Sequence, residues 1–171
     1  GAGATIIEKT EEKGGILSHN TASYTDDEVF YLFYGKSYNP QADEKTKYIK
    51  MRGRKVYEFA LTNVPSAMKE CLDLANTDIS EIKKILIHQA NAKMDDAIVK
   101  RLYKLFNEES PEKIMPLTVD RFGNSSVATV PTMFDLIVRN KLGDHKIDKG
   151  DKIIFASVGA GMHINAMVYQ Y

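Results

Sequence analysis

A histidine stands at the end of a short apolar run, where its side chain can reach a substrate. Residues 85–87 (ILI) predict a buried strand, and His88 is the first residue after it. An imidazole on such a turn can donate a hydrogen bond, or act as an acid or a base near neutral pH. The other interpretation is that His88 only forms hydrogen bonds with nearby backbone groups. Its position alone favours neither interpretation.

An asparagine occupies a second turn, within residues 120–126 (DRFGNSS). The amide of Asn124 can supply an N–H to a developing oxyanion. Gly123 and Asn124 together are also ordinary turn residues, and an asparagine or serine here would cap the helix that follows. Taken alone, Asn124 is better explained by capping.

A glycine turn, residues 159–161 (GAG), lies between two apolar segments. Glycine lets the backbone approach closely or adopt a positive φ. The turn is not a dinucleotide-binding fingerprint, because no helix follows it. It is either a hairpin turn and nothing more, or a turn whose amides face the same cleft as His88.

The remaining reactive side chains indicate no further site. Cys71 lies on the apolar face of a predicted helix and is interpreted as a core residue, not a nucleophile. His19, His145 and His163 have no metal-ligand spacing with one another or with Cys71, so no metal site is predicted. For His163, packing ranks above function.

One predicted helix, residues 91–106, carries four basic side chains close together: Lys93, Lys100, Arg101 and Lys104. Such a cluster is most often a solvated face. An acidic protein partner is the alternative interpretation.

Composition excludes several classes of partner. The 171 residues contain 23 Lys+Arg and 23 Asp+Glu, so the net charge is zero. No overall field therefore favours nucleic acid or a membrane surface. No apolar run approaches the length that spans a bilayer. The single cysteine excludes an internal disulfide and fits a reducing compartment, so we expect a cytoplasmic protein.

Three helices are predicted from apolar residues at three- and four-residue spacing. The first covers residues 53–75, and Pro65 should kink it or begin a new helix near Asn63. The second covers residues 91–106. The third, residues 125–140, is apolar on nearly every side in its first half, which predicts burial all round.

Short apolar or alternating runs predict strands at residues 2–9, 16–22, 85–87, 114–119, 153–158 and 164–171. Residues 23–50 are interpreted as an exposed loop or lid. Alternating strands and helices predict an α/β layered fold. His88 and Asn124 both follow strands and precede helices, which is where sites of α/β folds are built.

The sequence is similar to ketoacyl synthase III, also called 3-oxoacyl-[acyl-carrier-protein] synthase III, over nearly its whole length. The resemblance rests on the opening GAGA, residues 51–57 (MRGRKVY), 87–91 (IHQAN), 120–126 (DRFGNSS) and the final GAG turn. It implies a thiolase-like fold, in which two similar halves enclose a central pair of helices. Residues 1–50 would end the N-terminal half, and residues 51–171 would form the C-terminal domain, a mixed sheet covered by helices.

The resemblance also implies a reaction. In this family a cysteine takes an acyl group from acyl-coenzyme A, and malonyl-acyl carrier protein then loses CO2 and attacks the acyl-enzyme. His88 and Asn124 would be the hydrogen-bond donors to the enolate formed on decarboxylation. The backbone amide of Ala160 would lie in a second oxyanion hole. Coenzyme A thioesters are substrates here, and no permanently bound cofactor is expected.

Binding roles carry over from the same motifs. The positions that match the lining of the pantetheine arm are Gly53, Arg54, Tyr57, Ala90 and Asn91. Lys93 matches a basic residue linked to docking of the carrier protein. The complete enzyme is expected to be a homodimer in fatty acid biosynthesis.

The family's nucleophilic cysteine precedes the GAGA strand, so we expect it outside this chain and expect the 171 residues alone to lack condensing activity. Two alternatives remain open. One is a thiolase-fold relative that makes a secondary metabolite or hydroxymethylglutaryl-coenzyme A. The other is a non-catalytic thiolase-fold partner or coenzyme A-binding module.

Overall fold

The structure, a computed structural model, describes all 171 residues. Its strands are β1 (Gly15–Ser23), β2 (Leu32–Lys36), β3 (Lys47–Met51), β4 (Ile82–Ile87), β5 (Lys152–Gly159) and β6 (His163–Gln170). Its α-helices are α1 (Gly53–Leu74), α2 (Ala92–Lys104), α3 (Val119–Phe122) and α4 (Thr129–Val138). Short 3-10 turns cover Asp27–Tyr31, Ile79–Glu81, Ser126–Ala128 and Ala160–Met162.

The main sheet is mixed and has the strand order β1-β6-β5-β4. Strand β6 pairs antiparallel with both β1 and β5, whereas β4 pairs parallel with β5. Strands β2 and β3 form a separate antiparallel pair. The mixed sheet covered by helices that the sequence predicts is therefore confirmed.

Helices cover the two faces of this sheet unequally. Helices α1 and α2 pack on one face, where the larger core cluster includes Met68, Leu72 and Leu102, each fully buried. The smaller cluster, on the other face, joins α4 to β4 through Leu86 and Met133. None of the helices combines the length and the hydropathy that spanning a membrane requires.

Helix α1 runs unbroken through Pro65, although the sequence predicts a kink or a new helix near Asn63. Proline has no N–H, so the carbonyl of Leu61, four residues earlier, loses its helical donor. The guanidinium of Arg101 in α2 donates to that carbonyl at 3.2 Å. A side chain from the neighbouring helix thus replaces the hydrogen bond that the proline removes.

Two predicted strands are wrong. Residues 2–9 form no strand, because no other strand of the chain pairs with them, and Ile6 is 95% exposed. Residues 114–119 form no strand either, because Pro116 lacks an N–H and the amides of Thr118 and Val119 bond to a side chain instead of a neighbouring strand.

Two further predictions need correction. Residues 23–50 are not simply a loop, since they contain a 3-10 turn and the β2–β3 hairpin, and residues 37–46 alone form the exposed connection. The third helix is shorter than predicted and is not buried all round. Met133 and Ile137 face the core, whereas Val127 before the helix is 77% exposed, because no element of the chain covers that side.

The Leu61 carbonyl gives a first test of this fold. Arg101→Met should lower the free energy of unfolding by about 1–2 kcal/mol, because it leaves a partly buried carbonyl without a donor. In a Pro65→Ala background the helix supplies its own donor, so the same change should cost much less. Urea denaturation of the four proteins measures this coupling, and an equal cost in both backgrounds would contradict it.

Candidate active site

The carboxyl ends of β4 and β5 lie side by side because these strands are parallel neighbours. The N–H of His88 donates to the carbonyl of Ala156 at 2.9 Å, which extends the ladder one residue past β4. The GAG turn begins at Gly159, the last residue of β5. The pairing therefore brings His88 and Ala160 to the same edge of the sheet.

Both residues line one open cleft of about 660 Å³. Its walls come from β1, β5 and β6, from His88, from Ser126 and Val127 in the 3-10 turn before α4, and from Val130 in α4. No three His, Cys, Asp or Glu side chains in the structure are arranged to hold a metal ion.

Asn124 is exposed and does not line this cleft, although Ser126, two residues further on, does. Its Oδ1 accepts a hydrogen bond from the Ser126 N–H at 2.9 Å, so its oxygen is used in a local turn. It caps neither the 3-10 turn nor α4, which have no side-chain cap. The Nδ2 amide is consequently the group that Asn124 offers as a donor.

The backbone around Asn124 is held in uncommon conformations. Gly123 ends α3 with φ 63° and ψ −164°, a combination that in effect only glycine adopts. Ser126 has φ 57°, which is uncommon for a residue with a side chain. The sequence predicts a plain turn over residues 120–124, and the structure places α3 there, closed by Gly123.

The His88 imidazole is neutral at physiological pH. Burial lowers the pKa of His88 below its usual value, and the backbone carbonyl of Ser126 opposes this shift with a smaller effect. A neutral ring carries one N–H donor and no charge. It suits stabilisation of an oxyanion by hydrogen bonding more than general-acid catalysis by an imidazolium.

The GAG turn requires glycine at its third position. Gly161 has φ 76°, and a β-carbon there would lie 2.7 Å from Nε2 of His163. That ring is fixed by a 2.5 Å hydrogen bond between its Nδ1 and the Ser23 hydroxyl. His163 lines the cleft and is exposed, although the sequence favoured packing over function for it.

Side chains of β1 and β6 that the sequence did not indicate also line the cleft. His19 and Thr21 of β1 lie in register with Met167 and Asn165 of β6 and line the cleft with them. The missed signal is the alternation in residues 18–23 (SHNTAS), which places His19, Thr21 and Ser23 on one face of a strand.

The structural role of Gln89 was also not predicted, since the residue entered only as part of the IHQAN motif. It is fully buried, and its side chain bonds to the backbone of residues 116–119. A glutamine directly after a buried strand is a signal for such a role, because buried amides need partners.

The residues predicted to bind pantetheine lie at two helix N-termini. Arg101 in α2 contacts Leu61 in α1, and Lys69 lies 5.2 Å from the ring of Phe106, so the two helices run in the same direction. Their N-termini therefore lie at the same end of the helical layer. That end carries the predicted residues Gly53, Arg54, Tyr57, Ala90, Asn91 and Lys93.

Some of these side chains already have partners. The Oδ1 of Asn91 caps α2 by accepting from the amides of Lys93 at 3.0 Å and Met94 at 3.4 Å. Arg54 pairs with Glu58 at 2.8 Å on the surface of α1. Any ligand at this end would meet the backbone of residues 90–91 and the free charge of Lys93.

Asp95, in the first turn of α2, is fully buried and neither carboxylate oxygen has a hydrogen-bond partner. Burial raises the pKa of Asp95 to about 7, and the Asn91 backbone opposes the shift only slightly. Unfolded, this carboxyl ionises near pH 4, so its contribution to stability is lost progressively as the pH rises from about 4 to 7.

Replacing Asp95 with Asn should therefore raise the melting temperature more at pH 8 than at pH 4.5, because the variant has no charge to bury. The matched control is Asp96→Asn at the exposed neighbour, which pairs with Lys100 at 2.7 Å and should change little at either pH. Thermal unfolding followed by circular dichroism measures both. The same gain at both pH values would contradict the role of Asp95.

Cys71 is a core residue, as the sequence predicts. Its side chain has no exposure, and its Sγ lies 3.2 Å from the carbonyl of Ala166. Burial raises the pKa of Cys71 to about 11, so the thiol stays protonated at neutral pH. It is not an activated nucleophile.

The native protein should accordingly resist thiol reagents. At pH 8 a pKa near 11 leaves about 100-fold less thiolate than an ordinary cysteine has, and burial slows the reaction further. Dithionitrobenzoate should modify one thiol per chain in guanidinium chloride and almost none in buffer. Rapid modification of the folded protein would contradict this placement.

The fold has close counterparts among solved structures. It matches the synthase III of Thermus thermophilus with a TM-score of 0.77 and 25% identity, covering 96% of this chain and 49% of that one. It matches 3-oxoacyl-[acyl-carrier-protein] synthase III from Aquifex aeolicus VF5 with a TM-score of 0.73 and 24% identity, covering 95% and 46%. The chain thus has the thiolase-like α/β fold.

The chain belongs to the family described as 3-oxoacyl-[acyl-carrier-protein (ACP)] synthase III C terminal, whose profile matches residues 72–171. It is 33% identical over 175 residues to the beta-ketoacyl-[acyl-carrier-protein] synthase III of Erythrobacter litoralis (strain HTCC2594), covering all of this chain and 50% of that protein. The synthase III of Lactobacillus helveticus (strain DPC 4571) is 29% identical over 177 residues, with 100% and 51% covered. The chain therefore spans about half the length of the curated relatives it matches.

Proposed function

We propose that this chain supplies the oxyanion-stabilising groups of a condensing acyltransferase, which joins acyl-coenzyme A to malonyl-acyl carrier protein. The observation that carries the proposal is the meeting of His88 and the GAG turn at adjacent ends of parallel strands, in one cleft. Membership of the synthase III family makes this chemistry the natural one for that cleft.

The decarboxylation step falls to His88 and Asn124. When malonyl thioester loses CO2, its electrons form an enolate whose oxygen needs hydrogen-bond donors. The neutral ring of His88 carries one N–H, for which the enolate oxygen would replace the Ser126 carbonyl as acceptor, and the Nδ2 of Asn124 is the second donor, since its Oδ1 is engaged by Ser126. Neither group needs to give up a proton.

The acyl-transfer step needs a nucleophile. A cysteine thiolate attacks the acyl-coenzyme A carbonyl and expels the coenzyme A thiolate; the enolate then attacks the acyl-enzyme, forms the new carbon–carbon bond and releases the cysteine. Buried Cys71 does not fit this role, so we assign it to a cysteine outside these residues, with the Ala160 amide as an oxyanion donor. The 171 residues alone should not condense the substrates.

Charge at the helix N-termini supports a place for an anionic substrate arm. Arg52 occupies the N-cap position of α1 without capping it by a side-chain hydrogen bond, and the first turn holds Arg54 and Lys55 but no acidic residue. Positive side chains at the positive end of a helix destabilise it, and a bound phosphate offsets this cost. We assign coenzyme A and its pantetheine arm to this end, and carrier-protein docking to Lys93. Dimerisation and a cytoplasmic location belong to the same proposal.

The test separates the two half-reactions in the complete enzyme. His88→Ala should slow decarboxylation of malonyl-acyl carrier protein about 100- to 1000-fold, because it removes one oxyanion donor. Transfer of the acyl group from coenzyme A to cysteine should persist. Labelled CO2 release and acyl-enzyme formation report the two steps independently.

The control is His145→Ala, since His145 lies outside the cleft and should leave both half-reactions intact. An equal loss of both half-reactions in His88→Ala would show that the histidine has another role. An unmodified enzyme that decarboxylates no malonyl thioester would overturn the proposed reaction itself.

A further inference from the structure

Gln89 is fully buried next to His88, and both ends of its amide are hydrogen-bonded. Its Nε2 donates to the Pro116 carbonyl at 2.7 Å and lies 3.3 Å from the Sδ of Met133. Its Oε1 accepts from the amides of Thr118 at 2.8 Å and Val119 at 3.0 Å, and from the Thr118 hydroxyl at 3.2 Å. One side chain thus replaces the strand neighbour that residues 116–119 lack.

These bonds fix the start of α3. Val119 is its first residue, and after four residues Gly123 ends it directly before Asn124. The carbonyl of Thr118 also accepts from the amides of Arg121 and Phe122, so the helix grows from the residue that Gln89 holds. The position of the Asn124 turn therefore follows from the position of Thr118.

Before Asn124 little else in the chain holds this segment in place, whereas after it the chain is restrained by buried Ala128 and by the Ser126 carbonyl beside His88. Helix α3 buries none of its residues, and the side-chain hydrogen bond of Asn124 is local, to Ser126. A short helix without a buried face gains no positional restraint from packing. The buried amide of Gln89 is consequently the anchor on the N-terminal side of the Asn124 turn, and the contact of Ser126 with His88 lies on the other side.

We propose that Gln89 is the positioning residue that sets Asn124 and His88 at the spacing needed to bind one oxyanion together. This inference rests on the proposed function. Gln89 itself touches no substrate, because it is fully buried against Met133 and residues 116–119 and does not line the cleft.

The chemistry of the contact requires a glutamine. A glutamate carboxylate accepts hydrogen bonds but donates none, so it would lose the bond to Pro116 and bury a charge. An asparagine is one methylene shorter, so from the same backbone position its amide cannot reach both the Pro116 carbonyl and the amides of Thr118 and Val119. A methionine fills the volume but leaves the amides of Thr118 and Val119 without an acceptor.

The experiment uses the complete enzyme with Gln89→Met, and with Gln89→Asn as a second variant in case the first does not fold. Decarboxylation of malonyl-acyl carrier protein should lose about 100-fold in kcat, as expected for donors displaced by about 1 Å, with KM little changed. Acyl transfer from coenzyme A should stay within about twofold.

A double-mutant cycle separates positioning from general destabilisation. If Gln89 acts through Asn124, then Gln89→Met should cause little further loss of decarboxylation in an Asn124→Ala background. The matched control is Thr118→Val, which removes one buried partner of Gln89 but keeps the three hydrogen bonds to the backbone; it should leave the rate nearly unchanged. Additive losses in the cycle, or equal losses in both half-reactions, would overturn the inference.

A structural measurement tests whether Gln89 anchors residues 118–124, even if the proposed reaction is wrong. Hydrogen exchange in Gln89→Met should accelerate at least tenfold at residues 118–124 and stay unchanged in α1 and β6. Exchange that accelerates uniformly, or not at all, would show that Gln89 does not anchor this segment. Absence of decarboxylation in the unmodified enzyme would overturn the proposed function, and the exchange pattern would still test the anchor.

Discussion

The parallel pairing of β4 with β5 is the constraint on which the candidate site depends. Parallel strands end at the same edge, so the residue after β4 and the turn after β5 become neighbours although 71 positions separate His88 from Gly159. The adjacent antiparallel pairing with β6 returns the chain through a turn so tight that its backbone amides stay at that edge. A slip in either register would separate the histidine from these amides.

Side chains complete the backbone hydrogen bonding where prolines interrupt it. Arg101 supplies the donor that Pro65 removes from α1, and Gln89 bonds to the carbonyl of Pro116 and the amides beyond it. Both contacts join segments that are far apart in sequence. Each converts a local interruption into a tertiary link, one between two helices and the other between two turns of the candidate site.

Patterns that depend on neighbours in sequence were predictable, and those that depend on distant partners were not. Apolar spacing predicted α1, α2 and β4 because each packs a face that the sequence displays. The same reasoning failed for residues 2–9, which have strand composition but no partner strand, and for residues 114–119, whose partner is a side chain. In the site, the position of His88 made it a candidate without deciding its role, whereas the contacts of His163 with Ser23 and of Gln89 with Thr118 are indicated by no local pattern.

The GAG turn also determines where this sequence can vary. Gly159 has an extended backbone with open space around its α-carbon, and Ala160 contributes its backbone amide, so small residues are acceptable at both places. Gly161 combines a left-handed backbone with the His163 ring at 2.7 Å from any β-carbon. Sequence divergence in the turn is thereby confined to two of its three positions, and exchange at the third would require His163 to change at the same time.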